Sequence, residues 1–137
     1  MKDNPFENEI IDPIEDIAKF HTKFGLKQTE GKTQVGKSFS PEEWELRHKR
    51  LKEECDEYLA AVAEGDNAQT LDALVDIVYI AMGTAYRRGW DFGLAWMRVH
   101  AANMEKERGE EHNSKYGSSF DIVKPEGWEP PELNDLV

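Results

Sequence analysis

From Ala73 to Met82 nine of ten residues are apolar or aromatic, and the exception is Asp76. A helix that is apolar on almost every side is expected to be buried on almost every side. An unpartnered carboxylate in such a place is costly, by several kcal/mol as an order of magnitude. A basic partner, a bound proton or a metal ion has to compensate it. Asp72 lies four residues earlier, about one turn away on the same face. Two carboxylates on one face repel, and a hard cation such as Mg²⁺ or Mn²⁺ beside them removes the repulsion.

The remaining segments are read as other helices around this one. Asp12-Pro13-Ile14-Glu15 starts the first, with Asp12 as N-cap and Pro13 in the first turn, and Gly25 ends it. Residues 26–39 show no period and form a basic loop carrying Lys27, Lys32 and Lys37. Ser40 and Glu43 make a capping box for the second helix, which Gly65 closes. Trp44, Leu51, Cys55, Tyr58 and Val62 supply its apolar stripe, with Cys55 expected in the core. Asp66 caps the third helix, which runs to about Arg88 before Gly89. Asp91 caps a fourth, expected to reach about Glu107. An irregular tail follows, with Phe120, Ile122, Val123 and Trp128 expected to pack down. No alternating strand pattern stands out. The expectation is all-α: a four-helix bundle with an irregular C-terminal tail, a single domain over residues 1–137. The third helix has more apolar sides than one small bundle can cover, so a homodimer or homotetramer is expected.

The formal net charge of −11 argues against nucleic-acid or anionic-membrane partners. No apolar run approaches the ~18 residues of a membrane span. Met1-Lys2-Asp3-Asn4-Pro5 lacks a signal-peptide core, and one cysteine excludes an intrachain disulfide. These readings point to the cytoplasm, that of the host if the chain is phage-encoded. A small anionic substrate stays open if cations invert the local sign.

The second helix carries Glu53, Glu54 and Glu57, which share an arc beside its stripe. A solvated acidic face is the plain alternative. The tight turn to the third helix makes the two antiparallel, so the arc comes near Asp72 and Asp76. Converging carboxylates would hold one or more divalent cations. For Asp76 the competing reading is a buried salt bridge to Arg47, Arg50 or Arg98. On the fourth helix His100, Asn103 and Lys106 share a side. Asn103 falls in the apolar face, where a buried amide needs partners. Lys106 is either a phosphate contact or an exposed lysine near a helix C-terminus.

Together these residues resemble the all-α nucleoside triphosphate pyrophosphohydrolase superfamily, which includes MazG-type enzymes, dimeric dUTPases and phosphoribosyl-ATP pyrophosphohydrolases. Its pattern pairs E-x-x-E on one helix with E-x-x-D on the next. Glu54-Cys55-Asp56-Glu57 matches the first part and Asp76 ends the second. Position 73 is Ala rather than Glu, with Asp72 as substitute. The chain is also similar to phage-type MazG-like proteins at Lys19–Gly25, Asp72–Asp76, Val99–Met104 and Lys124–Trp128. That similarity implies a purine deoxynucleotide, dGTP or dATP, as substrate.

The resemblance implies hydrolysis between the α and β phosphates, giving a nucleoside monophosphate and pyrophosphate. Mg²⁺, or Mn²⁺, would be held by Glu53, Glu54, Glu57, Asp72 and Asp76. Glu53 or Glu54 would deprotonate the water, with Glu53 farthest from the stripe. Lys106, Lys124 and the loop lysines are candidates for the phosphates. Phe20, Phe24 or Trp44 are candidates to stack on the base, against plain core packing. Asn103 or His21 would hydrogen-bond base or sugar. Two other substrates, dUTP and phosphoribosyl-ATP, keep the chemistry and change the pocket. A di-iron bundle wants two Glu-x-x-His motifs, and only Glu45-Leu46-Arg47-His48 is present. A non-catalytic helical interaction protein is the alternative from another class.

Overall fold

The computed structural model describes residues 4–26 and 40–137. The basic loop with Lys27, Lys32 and Lys37 lies outside the described residues. Among the described residues four α-helices are present: α1 Pro13–Lys23, α2 Pro41–Glu64, α3 Asn67–Arg88 and α4 Phe92–Met104. The fold is all-α with an irregular C-terminal tail.

Their boundaries follow from local chemistry. The side chains of Asp12, Ser40, Asp66 and Asp91 each accept from the backbone N–H three residues on, at 3.0–3.2 Å. Gly65 and Gly89 end α2 and α3 at φ +71° and +72°, the left-handed conformation a C-terminal glycine accepts without strain. The Ser40–Glu43 box is built differently from the expectation on one side. Glu43 takes its place at the cap through its N–H, while its carboxylate receives a bidentate pair from Arg87 at 2.9 and 3.0 Å.

The chain divides into two compact units, Met1–Trp90 and Asp91–Val137. In the first, α2 packs along α3 and α1 packs on α3. Glu43 at the start of α2 meets Arg87 at the end of α3, so these two helices are antiparallel. Ile17, Ala61, Ala73, Met82 and Ala85 are the buried apolar residues. Arg88 is buried too, its guanidinium 5.3 Å from the Trp44 ring and 5.2 Å from Trp90.

Helix α3 is not buried on every side. Leu71, Leu74, Val75 and Val78 stand 63%, 44%, 54% and 53% exposed, because α1 and α2 cover only part of its circumference. Cys55, expected in the core, is exposed. It sits on the part of α2 that no described helix covers.

In the second unit α4 stops at Met104, a turn earlier than expected. Glu107–Arg108 (β1) instead pairs antiparallel with Ile122–Val123 (β2), Glu107 opposite Val123. Strands of two residues are too short to show an alternating pattern. Trp128 donates its indole N–H to Ala102 O at 2.7 Å, and Arg98 holds Asp135 at 2.6 and 3.0 Å, so the tail is fastened to α4. No helix among the described residues is long and apolar enough to cross a membrane.

Candidate active site

The antiparallel α2–α3 pair puts Glu54 and Glu57 across from Asp72 and Asp76. Glu54 and Asp76 are half-buried, whereas Glu53, Glu57 and Asp72 are exposed. Burial pushes the Glu54 carboxyl above the usual range, and a hydrogen bond with the Glu57 carboxyl adds to this. The charges of Glu57, Asp76 and Asp72 push it the same way. Asp76 is raised first by burial, then by Asp72 and Glu57. Asp72 and Glu57 thus act as like charges on both Glu54 and Asp76.

The proposed salt bridge to Asp76 is not made. Among the described residues no basic group lies within 4 Å of it, and Arg98 is committed to Asp135. One Glu54 oxygen, Oε2, is buried without a hydrogen-bond partner among the described residues. A half-buried acidic group with an unused oxygen suits a hard cation or a proton. As they stand, no three His, Cys, Asp or Glu side chains of the described residues close into a metal-holding group. The oxygen donor set is nevertheless of the kind Mg²⁺ takes. Ala73 at 2% exposure is part of the core, so Asp72 on the adjoining face is the acid that α3 offers beside Asp76.

Glu54 and Asp76 line one end of a cavity of about 510 Å³ between α1, α2 and α3. Its other walls are Phe20, His21, Leu26, Glu43, Leu46, Arg47, Arg50, Tyr79, Ile80 and Gly83. His21 is 3% exposed, with Nδ1 2.8 Å from Ile17 O. A carbonyl only accepts, so Nδ1 carries the proton and Nε2 of the neutral ring is an acceptor. Arg47 Nη2 donates to that Nε2 at 3.4 Å, and Nη1 donates to Thr84 Oγ1 at 3.4 Å. Burial pushes the His21 pKa down; the Ile17 hydrogen bond opposes this, and Arg47 and Arg87 add to it. Burial also lowers Arg47, with Glu43 opposing.

A family model for phosphoribosyl-ATP pyrophosphohydrolase (PRA-PH) matches residues 17–103, more than half of the chain. The chain belongs to the PRA-PH family. It is therefore a member of the MazG-like all-α NTP pyrophosphohydrolase superfamily and a hydrolase acting on acid anhydrides, with a nucleotide pyrophosphohydrolase activity. No curated protein matches the chain in sequence.

Within this PRA-PH chain the expected site residues fall into three groups. Glu54, Asp76, His21 and Phe20 meet at the cavity, with Glu57 and Asp72 close enough to act on its carboxylates. Glu53, Phe24 and Trp44 do not line it: Phe24 packs edge-on against Phe20 at 4.9 Å, and Trp44 lies under Arg88. Asn103, Lys106 and Lys124 belong to the second unit. Asn103 is exposed rather than buried, because its side of α4 is uncovered, as the exposure of Met97 and Met104 shows. Lys106 and Lys124 both stand against Trp128, with Nζ 5.0 and 4.9 Å from the ring centroid. The sequence reading cast Arg47 and Arg50 only as salt-bridge partners and so missed them as cavity residues. The signal was present: 47, 50 and 54 recur at i, i+3 and i+7 on one face of α2.

Proposed function

We propose that this pyrophosphohydrolase cleaves the α–β phosphoanhydride bond of a purine deoxynucleoside triphosphate, dGTP or dATP, in a reaction that depends on Mg²⁺ or Mn²⁺. The observation that carries the metal dependence is the half-buried Glu54–Asp76 pair. Both carboxyls are raised by burial and by the charges of Asp72 and Glu57, no basic group among the described residues neutralises Asp76, and Glu54 Oε2 is unused. Glu57, Asp72 and Asp76, with Glu54 beside them, are the residues that would hold the cation. When bound, the cation supplies positive charge against the triphosphate oxygens.

The chain's own groups supply the rest. Glu54, its carboxyl raised above the usual range by burial, is placed to accept a proton from the attacking water. The water oxygen bonds to the α-phosphorus as the bond to the bridging oxygen breaks, and pyrophosphate leaves with that electron pair. Glu53, exposed and outside the cavity, is the other candidate base, and Glu53→Gln separates the two. Arg50 lines the cavity one turn from Glu54, at ~6 Å of helix rise, and is placed for a phosphate. Lys106 and Lys124 remain proposed phosphate contacts.

Phosphoribosyl-ATP is the second reading, favoured by the match over residues 17–103 to the family named for it. A homodimer or homotetramer is proposed as the working form, on the exposed Leu71, Leu74, Val75 and Val78 of α3. Sedimentation at two concentrations tests it. The exposed thiol of Cys55 suits the reducing cytoplasm.

Pyrophosphate release from a panel of NTPs, dNTPs and phosphoribosyl-ATP, with Mg²⁺, Mn²⁺ or EDTA, tests the reading. Metal-dependent turnover of dGTP or dATP above the pyrimidines supports it. Turnover confined to dUTP or phosphoribosyl-ATP replaces the substrate and keeps the chemistry. Pyrophosphate from none of them overturns it.

A further inference from the structure

Two guanidinium groups line the cavity, and they differ in one respect. Arg47 is spent on the fold: it donates to His21 Nε2 and to Thr84 Oγ1. Arg50 is not. Among the described residues it has neither a hydrogen bond nor an ion pair, and it is exposed. The nearby acid that could have taken it, Glu43, is occupied by the bidentate pair with Arg87. Arg50 is therefore a cation of the cavity wall whose whole donor fork is open to a ligand. Such a planar fork matches the oxygens of a phosphate in pairs.

Its distance from Glu54 says which phosphate. The two residues share one face of α2, one turn apart, about 6 Å of helix rise. A carboxylate takes a proton from a water at about 3 Å. That water attacks phosphorus from about 3 Å. An α-phosphorus attacked by a water on Glu54 thus stands about 6 Å from the carboxylate, and the leaving oxygen, in line with the water, lies on its far side. Arg50 is the open donor group a turn along the wall from the base. Its exposure also suits pyrophosphate, the most strongly hydrated part of the substrate, whereas Leu26, Leu46 and Ile80 suit the nucleoside. A guanidinium keeps its proton, so it does not act as an acid. It compensates the leaving group by hydrogen bonding: the electron pair of the broken bond stays on pyrophosphate, against a fixed positive charge.

We propose that Arg50 is the leaving-group ligand, its guanidinium binding the β- and γ-phosphates and taking up the charge that develops on the bridging oxygen as the α–β bond breaks. This rests on the α–β cleavage reading above and adds to it the residue that receives pyrophosphate, the product common to every substrate considered there.

Calorimetric titration with inorganic pyrophosphate at fixed Mg²⁺ tests it without turnover. Arg50→Ala binds pyrophosphate about 10- to 150-fold more weakly than the unaltered protein, the range for hydrogen bonds to a charged group. Arg50→Lys, which keeps the charge and loses the fork, falls between the two. Arg50 holds no other side chain, so circular dichroism of Arg50→Ala matches that of its parent. The second measurement compares the panel's substrate with its β,γ-methylene analogue, whose leaving group is more basic. The rate ratio between them is wider in Arg50→Ala than in the unaltered enzyme, a change that a merely structural role does not produce. Unchanged pyrophosphate affinity in Arg50→Ala, an equal rate ratio in the two proteins, or an unaltered protein that does not bind pyrophosphate overturns the proposal. An enzyme that releases pyrophosphate yet gives one of these results keeps its function and loses the role given to Arg50. Failure of the cleavage reading itself shows in the substrate panel, as absent pyrophosphate release.

Discussion

Gly83→Ala pits helix propensity against packing at one atom. Glycine inside a helix costs about 1 kcal/mol relative to alanine, so the substitution should stabilise a helix such as α3 in isolation. Here the added Cβ would stand 2.9 Å from His21 Cε1, 3.1 Å from Nε2 and 3.3 Å from Arg47 Nη1. The His21 ring has little room to yield, being 3% exposed and tied to Ile17 O at 2.8 Å. Overfilling a packed site costs about 1–3 kcal/mol. The difference is a net destabilisation of about 1 kcal/mol, some 4 °C in Tm for a chain of this size. Urea denaturation of four proteins measures it: the unaltered chain, Gly83→Ala, His21→Ala and the double variant. With the ring removed, Gly83→Ala should recover its propensity gain and stabilise by up to about 1 kcal/mol. The coupling between the two positions should therefore be about 1–3 kcal/mol. A Gly83→Ala protein more stable than its parent, or additive substitutions, would refute the steric argument.

Asp76→Asn and Glu57→Ala should abolish pyrophosphate release while circular dichroism shows the helices intact, and Glu64→Ala, remote from the cavity, should be silent in the same assay. In EDTA at pH 8 Asp76→Asn should melt no lower than its parent, since it removes a like charge; Mg²⁺ should raise the parent's Tm and leave the variant's unchanged. His21 is held neutral in the folded chain, so protons bind the unfolded chain first. Its contribution is complete above about pH 6.5 and is lost as pH falls below that. The Tm of the parent should drop more steeply than that of His21→Gln between pH 6.5 and 5, and parallel profiles would remove His21 from the account. Asp66→Ala deletes the acceptor for Gln69 N–H at 3.0 Å and should cost about 1 kcal/mol in urea denaturation.

Helix ends were the most legible part of the sequence, because an N-cap is a contact between neighbours. Asp12, Ser40, Asp66 and Asp91 each cap where their spacing to the next helix demands. The acidic pairing across α2 and α3 was legible for a related reason: a two-residue link leaves antiparallel packing as the direct solution. What covers a helix was not legible. Apolar patterning says that Leu71, Val75 and Cys55 prefer burial, but not whether this chain has the surface to bury them. Asn103 misled in the same way. The β1–β2 pair was invisible because its two short strands are joined only by their distant partners. Arg47 was hidden because its role depends on His21 and Thr84, which are 26 and 37 residues away.

Only Gly65 and Asp66 separate α2 from α3, so the acidic site is assembled from neighbours in sequence. Contacts of that kind form early and quickly in folding. The α2–α3 hairpin therefore has to close while Glu57 and Asp72 act as like charges on Glu54 and Asp76. The charges that suit the site for chemistry thus act as a brake on its own formation. A divalent ion present during refolding should relieve that brake, so the cation proposed for the reaction would also set how fast the site appears.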